Sequence, residues 1–315
     1  GLLAHMLDVA AVAEAIIRRE SARTRQWVAE SFGVSLDCAP RWMAALSGLH
    51  DFGKGIPGFQ AKWLEGQRAD ESAGLCFRAA SLNVDRHDLA SAVLLPRELL
   101  RLFPGSQWIR AASQAVGAHH GYFGRNHELS GAKPFFEGSD WSAARARLID
   151  AYIDTLQPGA PPTVQQISLP AAAWLAGLTS VADWIGSNLD WFPPGERADL
   201  LAEHYARAAE LAERALNDIG WPGFLPLLAE NAETDALIGR VLGRKSEPVV
   251  ARPLQQAADR LMDSASGPAL IIVEAPMGEG KTELAFLAHL RLQAANGHRG
   301  LYVALPTQAT GNAMF

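Results

Sequence analysis

Seven side chains in the first 183 residues are of the kinds that hold metal ions: His5, His50, Asp51, His87, His119, His120 and Asp183. A histidine beside a carboxylate offers a borderline and a hard ligand at one point of the chain. Alone, the pair in Gly48-Leu49-His50-Asp51-Phe52-Gly53-Lys54 is a weak signal, because the chain carries nine histidines. A helix end with a glycine cap explains that stretch equally well, and a buried histidine satisfied by a backbone carbonyl explains His5. The company of the other residues changes the weight, since so many isolated polar groups in one apolar helical domain would be costly to bury. Together they suit a binuclear site, in which a carboxylate bridges two metals and imidazoles fill the remaining positions. Such a site lowers the pKa of a bridging water and clamps the attacking and leaving oxygens during displacement at phosphorus. Imidazole-rich ligation favours Mn, Fe, Co or Ni over Mg.

A second chemistry lies in Ala275-Pro276-Met277-Gly278-Glu279-Gly280-Lys281-Thr282. Glycines that expose backbone N–H groups, followed by Lys-Thr at a helix start, form a phosphate-binding loop. Gly278 and Gly280 admit the phosphates, Lys281 reaches the β- and γ-phosphates, and Thr282 ligates Mg²⁺, which makes ATP and Mg the expected cofactors.

The elements that must position these residues are mostly helical. Leu2 to about Glu20 carries His5, Val9, Val12 and Ile16 on one face, so His5 points inward. Pro40 opens a second helix on which Met43, Leu46 and His50 share a stripe, with Gly53 expected to close it. The stretch from Gly55 to Ser81 reads as loop. Helices are expected from Arg86 to Leu100, with His87 in the first turn above Ser91, and from Gln107 to His120. Adjacent His119 and His120 diverge by about 100° on a helix, so they chelate together only where that helix ends. Helical pattern resumes at Trp141 to Thr155, and Pro170 opens an apolar helix carrying Asp183 beside Ala172, Ala176 and Thr179. Arg197 to Ile219 forms one more amphipathic helix.

The pattern changes after the polar stretch Gly243 to Pro248. Ala269 to Glu274 is a β-branched run that reads as a buried strand, Lys281 to Ala295 as a helix, and Gly300 to Leu305 as a second strand, giving a βαβ unit. The expected division is residues 1–240 as a helical domain and 241–315 as the start of an α/β domain.

Composition narrows the function classes. A net charge of −6 and a pI near 5.9 argue against a protein that coats nucleic acid through a bulk basic field. A nucleic-acid ligand then needs a local groove, a metal or delivery by a partner. Cys38 and Cys76 have no Cys-x-x-Cys spacing, which excludes a zinc knuckle and a disulfide framework. No apolar run is long enough to span a membrane and the start has no basic n-region, so a soluble, cytoplasmic protein is expected.

The set His5, His50-Asp51 and Asp183 resembles the defining pattern of the HD phosphohydrolase superfamily, an all-helical fold. With His87 and His119-His120 it resembles the HD nuclease of the CRISPR-associated helicase-nucleases of type I systems. That resemblance implies that His5, His50, Asp51 and Asp183 hold one metal, and that Asp51, His87, His119 and His120 hold the other. It also implies catalytic roles for His50 and Asp51 and a place for Lys54 over the scissile phosphate, although a solvated lysine fits the sequence equally well. Arg252-Pro253-Leu254-Gln255 resembles the superfamily 2 helicase element in which Gln255 reads adenine, and a polar helix start is its equal alternative. Pro306 to Thr310 resembles a motif that touches the DNA backbone. The implied fold is an HD-type metal phosphohydrolase domain followed by the first βαβ part of a RecA-like helicase domain. The implied activity is metal-dependent endonuclease or exonuclease cleavage of single-stranded DNA in antiviral defence, after the RNA-guided complex Cascade has opened a duplex. ATPase and helicase activity is expected only of a longer parent, because the acidic motif and arginine finger of such motors do not follow here. Two rivals are an HD nucleotide phosphohydrolase regulated by the phosphate loop and a non-enzymatic nucleotide-sensing interaction module.

Overall fold

The computed structural model describes residues 1–194, 200–228, 232–244, 248–262, 265 and 267–304. Among them all regular structure is helical: α1 (Leu2–Arg18), α2 (Ala22–Phe32), α3 (Ala39–Gly48), a 3-10 turn (Leu49–Lys54), α4 (Pro57–Gln60), α5 (Leu64–Ser72) and a short 3-10 turn (Ala79–Ser81). There follow α6 (His87–Leu102), α7 (Ile109–Gly117), α8 (Asn126–Gly131), α9 (Ser139–Leu156), α10 (Leu169–Gly186), α11 (Leu201–Asp218), α12 (Thr234–Val241), α13 (Pro253–Met262) and α14 (Lys281–Asn296). No helix among the described residues is long and apolar enough to cross a membrane.

The chain forms two compact units, one of residues 1–20 and 25–223, the other of 21–24 and 224–315. In the larger unit α1 is the central rod, buried on all faces from Met6 to Ile17. Its alanines (Ala10, Ala11, Ala13 and Ala15) let α3, α10 and α11 approach from different sides. Two carboxylates are buried on this rod, and each is paired, as burial of charge requires. Asp8 accepts from His204 Nε2 at 2.8 Å, and Glu14 accepts from Tyr205 Oη at 2.5 Å and faces Arg41 Nε at 3.0 Å. Both contacts from α11 therefore fix its register on α1. At the far end of α3, Trp42 stacks edge-on against Phe103 and Trp108, with centroids 5.4 and 5.8 Å away. Aromatic pairs in that geometry add roughly 0.5–1.5 kcal/mol each beyond their area burial.

Several expectations change in the fold. Gly53 does not close α3: the α-helix ends at Gly48, and the His-Asp pair sits in the 3-10 turn that follows. Both glycines are there for close approach. A Cβ on Gly48 would overlap the Tyr152 hydroxyl and the Met6 carbonyl, and one on Gly53 would overlap the His87 carbonyl and the Ser91 amide. The stretch read as loop contains α5, in which Gly66 is the only buried residue, so no apolar period marked it.

The smaller unit has its own core of Leu237, Ile238, Ala251, Met262 and Leu287. Leu237 and Ile238 pack there, so α12 lies in this unit, which takes in residues 21–24 and the chain from 224 onward. The helix expected from Lys281 is present as α14, whereas neither expected strand is formed among the described residues. An extended run becomes a strand only through ladder bonds to a neighbour, and Leu270, Ile272 and Tyr302 lie 89%, 80% and 90% exposed. Leu305 and the motif Pro306 to Thr310 lie outside the described residues.

Candidate metal centre

Five separate elements deliver the seven candidate ligands to one place. His5 comes from the first turn of α1, His50 and Asp51 from the 3-10 turn, and His87 from the first residue of α6. His119 and His120 lie in the turn after α7, and Asp183 in the last turn of α10. Asp51 is the centre. Its Oδ2 lies 3.2 Å from His5 Nε2 and 3.4 Å from His50 Nε2, while its Oδ1 lies 3.4 Å from His87 Nε2. Asp183 Oδ1 closes the first group, 3.4 Å from His5 Nε2 and 3.3 Å from His50 Nε2. In the second group His120 Nε2 lies 3.2 Å from His87 Nε2, and the His119 and His120 rings are 4.1 Å apart. Ligand atoms of His5, His50 and Asp183 lie within 4.8 Å of one another, as do those of His87, His119 and His120, and those of His50, Asp51 and His119.

Local rules explain how each ring is aimed. The last carbonyls of a helix lack intrahelical partners. His50 and His119 each stand just past such an end, with Nδ1 at 3.1 Å from the Ser47 carbonyl and 2.9 Å from the Val116 carbonyl. A carbonyl only accepts, so each Nδ1 carries the proton and each Nε2 is left facing the centre; a backbone partner of this kind orients metal-ligating imidazoles. Ser91 clamps the 3-10 turn to α6, accepting from the Gly53 amide at 2.7 Å and donating to the His50 carbonyl at 2.6 Å. Gly186 lets α10 lie against Val9 of α1, which brings Asp183 beside His5. Ser187 Oγ donates to Asp183 Oδ1 at 2.8 Å, and Ser180 Oγ donates to the His119 carbonyl at 2.5 Å, tying α10 to the end of α7. These hydroxyls were not candidates on sequence. Only Ser91 carried a signal, one turn beyond His87 on the same stripe.

The two groups differ in protonation. Burial drives imidazoles toward the neutral form, and for His87 and His119 it wins, leaving both at about 4. For His5 and His50 burial is again the largest influence but is outweighed. Asp183 and Asp51 raise His5, and Asp51 with Asp183 raises His50 to about 9. Burial would raise both carboxyls, yet the facing histidines hold Asp51 and Asp183 far below the usual carboxylate range, with Lys54 adding to the effect on Asp51.

The residues fit a metal. His50 Nε2, Asp51 Oδ2 and His119 Nε2 are buried without a hydrogen bond, although His50 Nε2 and Asp51 Oδ2 lie in ion-pair range of each other and the Lys54 ammonium reaches Asp51 Oδ2. Native interiors leave few such atoms, and a cation would satisfy all three. Lys54 does not stand free in solvent: its ammonium pairs with Asp51 Oδ2 and lies 5.5 Å from the Phe59 ring centroid.

In the smaller unit the residues expected to form a phosphate loop lie together. Gly278 and Gly280 have φ of 85° and 80°, a region open to glycine, and Gly280 caps α14. Lys281 Nζ folds back on the carbonyls of Ala275 and Pro276, both at 2.7 Å, and Thr282 is exposed at the helix start. Gln255 is buried against this loop, its Nε2 donating to the Gly280 carbonyl at 3.2 Å and its Oε1 accepting from the Arg252 amide at 2.9 Å.

Fold and site together define a helical HD-type domain, built around an adjacent histidine and aspartate. The family model described as "Cas3, HD domain" matches residues 1–192, and the chain belongs to that family. A CRISPR-associated endonuclease/helicase Cas3 of Thermus thermophilus is 41% identical over 100% of this chain and 33% of its own length. The chain spans about a third of the length of the curated relatives it matches. A crystal structure of a CRISPR-associated protein aligns with TM-score 0.85 and 35% identity over all of this chain and 35% of the other. The Thermus thermophilus Cas3 HD domain crystallised in the presence of Ni²⁺ aligns with TM-score 0.56 and 35% identity, covering 71% of this chain and 86% of that one. A CRISPR RNA-guided surveillance complex in a pre-nicking state contains a chain that aligns with TM-score 0.70 and 26% identity over all of this chain and 35% of its own length.

Proposed function

We propose that this chain is the metal-dependent nuclease part of a CRISPR helicase-nuclease, cutting single-stranded DNA endo- or exonucleolytically after an RNA-guided surveillance complex of the Cascade kind has displaced it, in the cytoplasm. The observation that carries this reading is the division of Asp51: one oxygen faces His5 and His50, the other faces His87. A carboxylate so placed would hold two ions at once. His5, His50 and Asp183 complete one half-site, and His87, His119 and His120 the other. The pair of divalent transition ions that these ligands suit would supply activation of water near neutral pH and charge neutralisation at the phosphodiester.

The rest is the work of the chain itself. The Ser47 and Val116 carbonyls hold Nδ1 protons so that His50 and His119 present basic nitrogens inward. Asp51 and Asp183 stay ionised at working pH. Lys54, between Asp51 and the Phe59 face, sits where its ammonium reaches a substrate phosphate once Asp51 is otherwise engaged. In the second unit Gly278, Gly280, Lys281 and Thr282 bind the phosphates of ATP with Mg²⁺, and Gln255, seated against that loop, reads the base. Turnover of ATP and unwinding belong to the longer protein.

The test uses chelator-stripped chain incubated with circular single-stranded DNA and Mn²⁺, Co²⁺, Ni²⁺ or Mg²⁺ in turn. Nicking without ATP, supported by the first three better than by Mg²⁺, is the expected result. Full activity in Mg²⁺ alone, or none with any ion, would overturn the reading.

A further inference from the structure

We propose that the loop following His120, with the cations beside it, is a platform for the bases of single-stranded DNA: Tyr122 and Phe123 stack on nucleobases next to the reacting phosphodiester, and Arg86 and Lys62 take flanking phosphates. This inference rests on the phosphodiesterase reading of the metal centre and adds the surface by which that centre holds its substrate.

The arrangement starts from the backbone. Two and three residues after His120, which is itself exposed, Tyr122 and Phe123 stand 42% and 40% exposed. Two adjacent, part-exposed aromatic rings beside a reactive centre offer faces on which a ligand's bases can stack. The loop is seated, since a Cβ on Gly124 would press into Leu89 and Leu129. The cations beside it are also placed. Arg86 donates to the Tyr122 hydroxyl and lies 5.8 Å from its ring centroid, while the largely buried carboxylate of Asp88 holds the same guanidinium at 2.6 Å. Across His87, Lys62 Nζ lies 5.1 Å from the Phe59 centroid and 2.9 Å from Asp85, and the Phe59 ring is set edge-on against His87 with centroids 5.2 Å apart. Phe59 is pinned in turn, because α4 packs so closely on the Leu82 and Val84 carbonyls that only Gly58 fits.

Outward rings interleaved with anchored cations are what single strands recognise. Every unpaired base offers a π-face, and stacking on an aromatic side chain tolerates any sequence. A duplex hides those faces. The chain's net charge of −6 excludes a general basic field, so affinity has to come from such a local combination.

The experiment measures binding without metal. The 315-residue chain in EDTA is titrated into fluorescein-labelled oligothymidylate and, separately, into a hairpin duplex of equal charge, with fluorescence anisotropy as the readout. The variant Tyr122→Leu/Phe123→Leu, checked by thermal melting, is expected to bind oligothymidylate about tenfold or more weaker, with little change for the hairpin. Tyr122→Trp/Phe123→Trp should bind at least as tightly as wild type. Lys62→Ala should weaken both ligands and lower the salt dependence by about one phosphate contact. Wild-type affinity in the leucine variant, or equal losses for oligothymidylate and hairpin, would overturn the platform. Failure of the nuclease reading is seen elsewhere, as wild-type chain that nicks nothing with any metal, and the binding measurement reads the platform in either case.

Discussion

Replacing Asp51 by asparagine tests the centre at its most informative point. The side chain is 1% exposed and asparagine has nearly its shape, so the substitution leaves no cavity and removes one charge. Because Oδ2 faces the group of His5 and His50 and Oδ1 faces His87, both groups lose the carboxylate's charge, and one of them meets an amide NH2 in place of an oxygen. Disturbing even an outer partner of a metal ligand costs about 10–100-fold in affinity. Applied to two ions, that is about 10²–10⁴ in the product of the binding constants, or about 3–6 kcal/mol at 1.4 kcal/mol per tenfold. His120→Ala touches only the second group and should cost one such factor. The assay is calorimetric titration of chelator-stripped protein with Mn²⁺, alongside nicking of circular single-stranded DNA. Wild type should take up two ions, His120→Ala one at wild-type affinity, and Asp51→Asn neither at concentrations that saturate wild type, with nicking lost. If Asp51→Asn keeps either ion at wild-type affinity, Asp51 is no bridge and the division into two half-sites is wrong.

The two half-sites should also respond differently to pH. His50, raised to about 9, is protonated at neutral pH, so an ion entering the first group must displace that proton and its affinity falls about tenfold per unit below 9, whereas His87 and His119, at about 4, are already neutral. Titrations in buffers of different ionisation enthalpy should detect proton release for one ion and not the other. In the metal-free protein the raised His50 contributes stability that is complete below its free value of 6.5 and lost as pH rises through about 9, so the melting temperature should drop by several degrees between pH 7 and 9.5. Gly53→Ala forces a Cβ into the His87 carbonyl and the Ser91 amide, and should cost about 1–3 kcal/mol in a denaturant melt while weakening metal uptake. Lys281→Ala lies in the other compact unit and should leave single-strand nicking intact while abolishing binding of a fluorescent ATP analogue; loss of nicking would show the two chemistries to be coupled.

Where the candidate side chains sit could be read in part from residue order, because they obey helical periods. His5 with Val9, Val12 and Ile16 on one stripe, His87 at a helix start and His119-His120 at a helix end are local patterns, and α1, α6, α7, α9 and α10 formed close to where those patterns placed them. Other features depended on neighbours distant in sequence. Residue order showed that Gly48 and Gly53 flank the His-Asp pair, but their use as contact points against Tyr152 and α6 follows from packing, and it is this packing that keeps His50 and Asp51 in a 3-10 turn. The β-branched run Ala269 to Glu274 signals a strand, yet pairing needs a neighbouring backbone, and none is paired with it among the described residues. The protonation contrast between His50 and His119 has no trace in sequence. Both are buried imidazoles with Nδ1 on a helix-end carbonyl, and what separates them is that Asp51 and Asp183 converge on one and burial dominates at the other, a matter of distances across the fold.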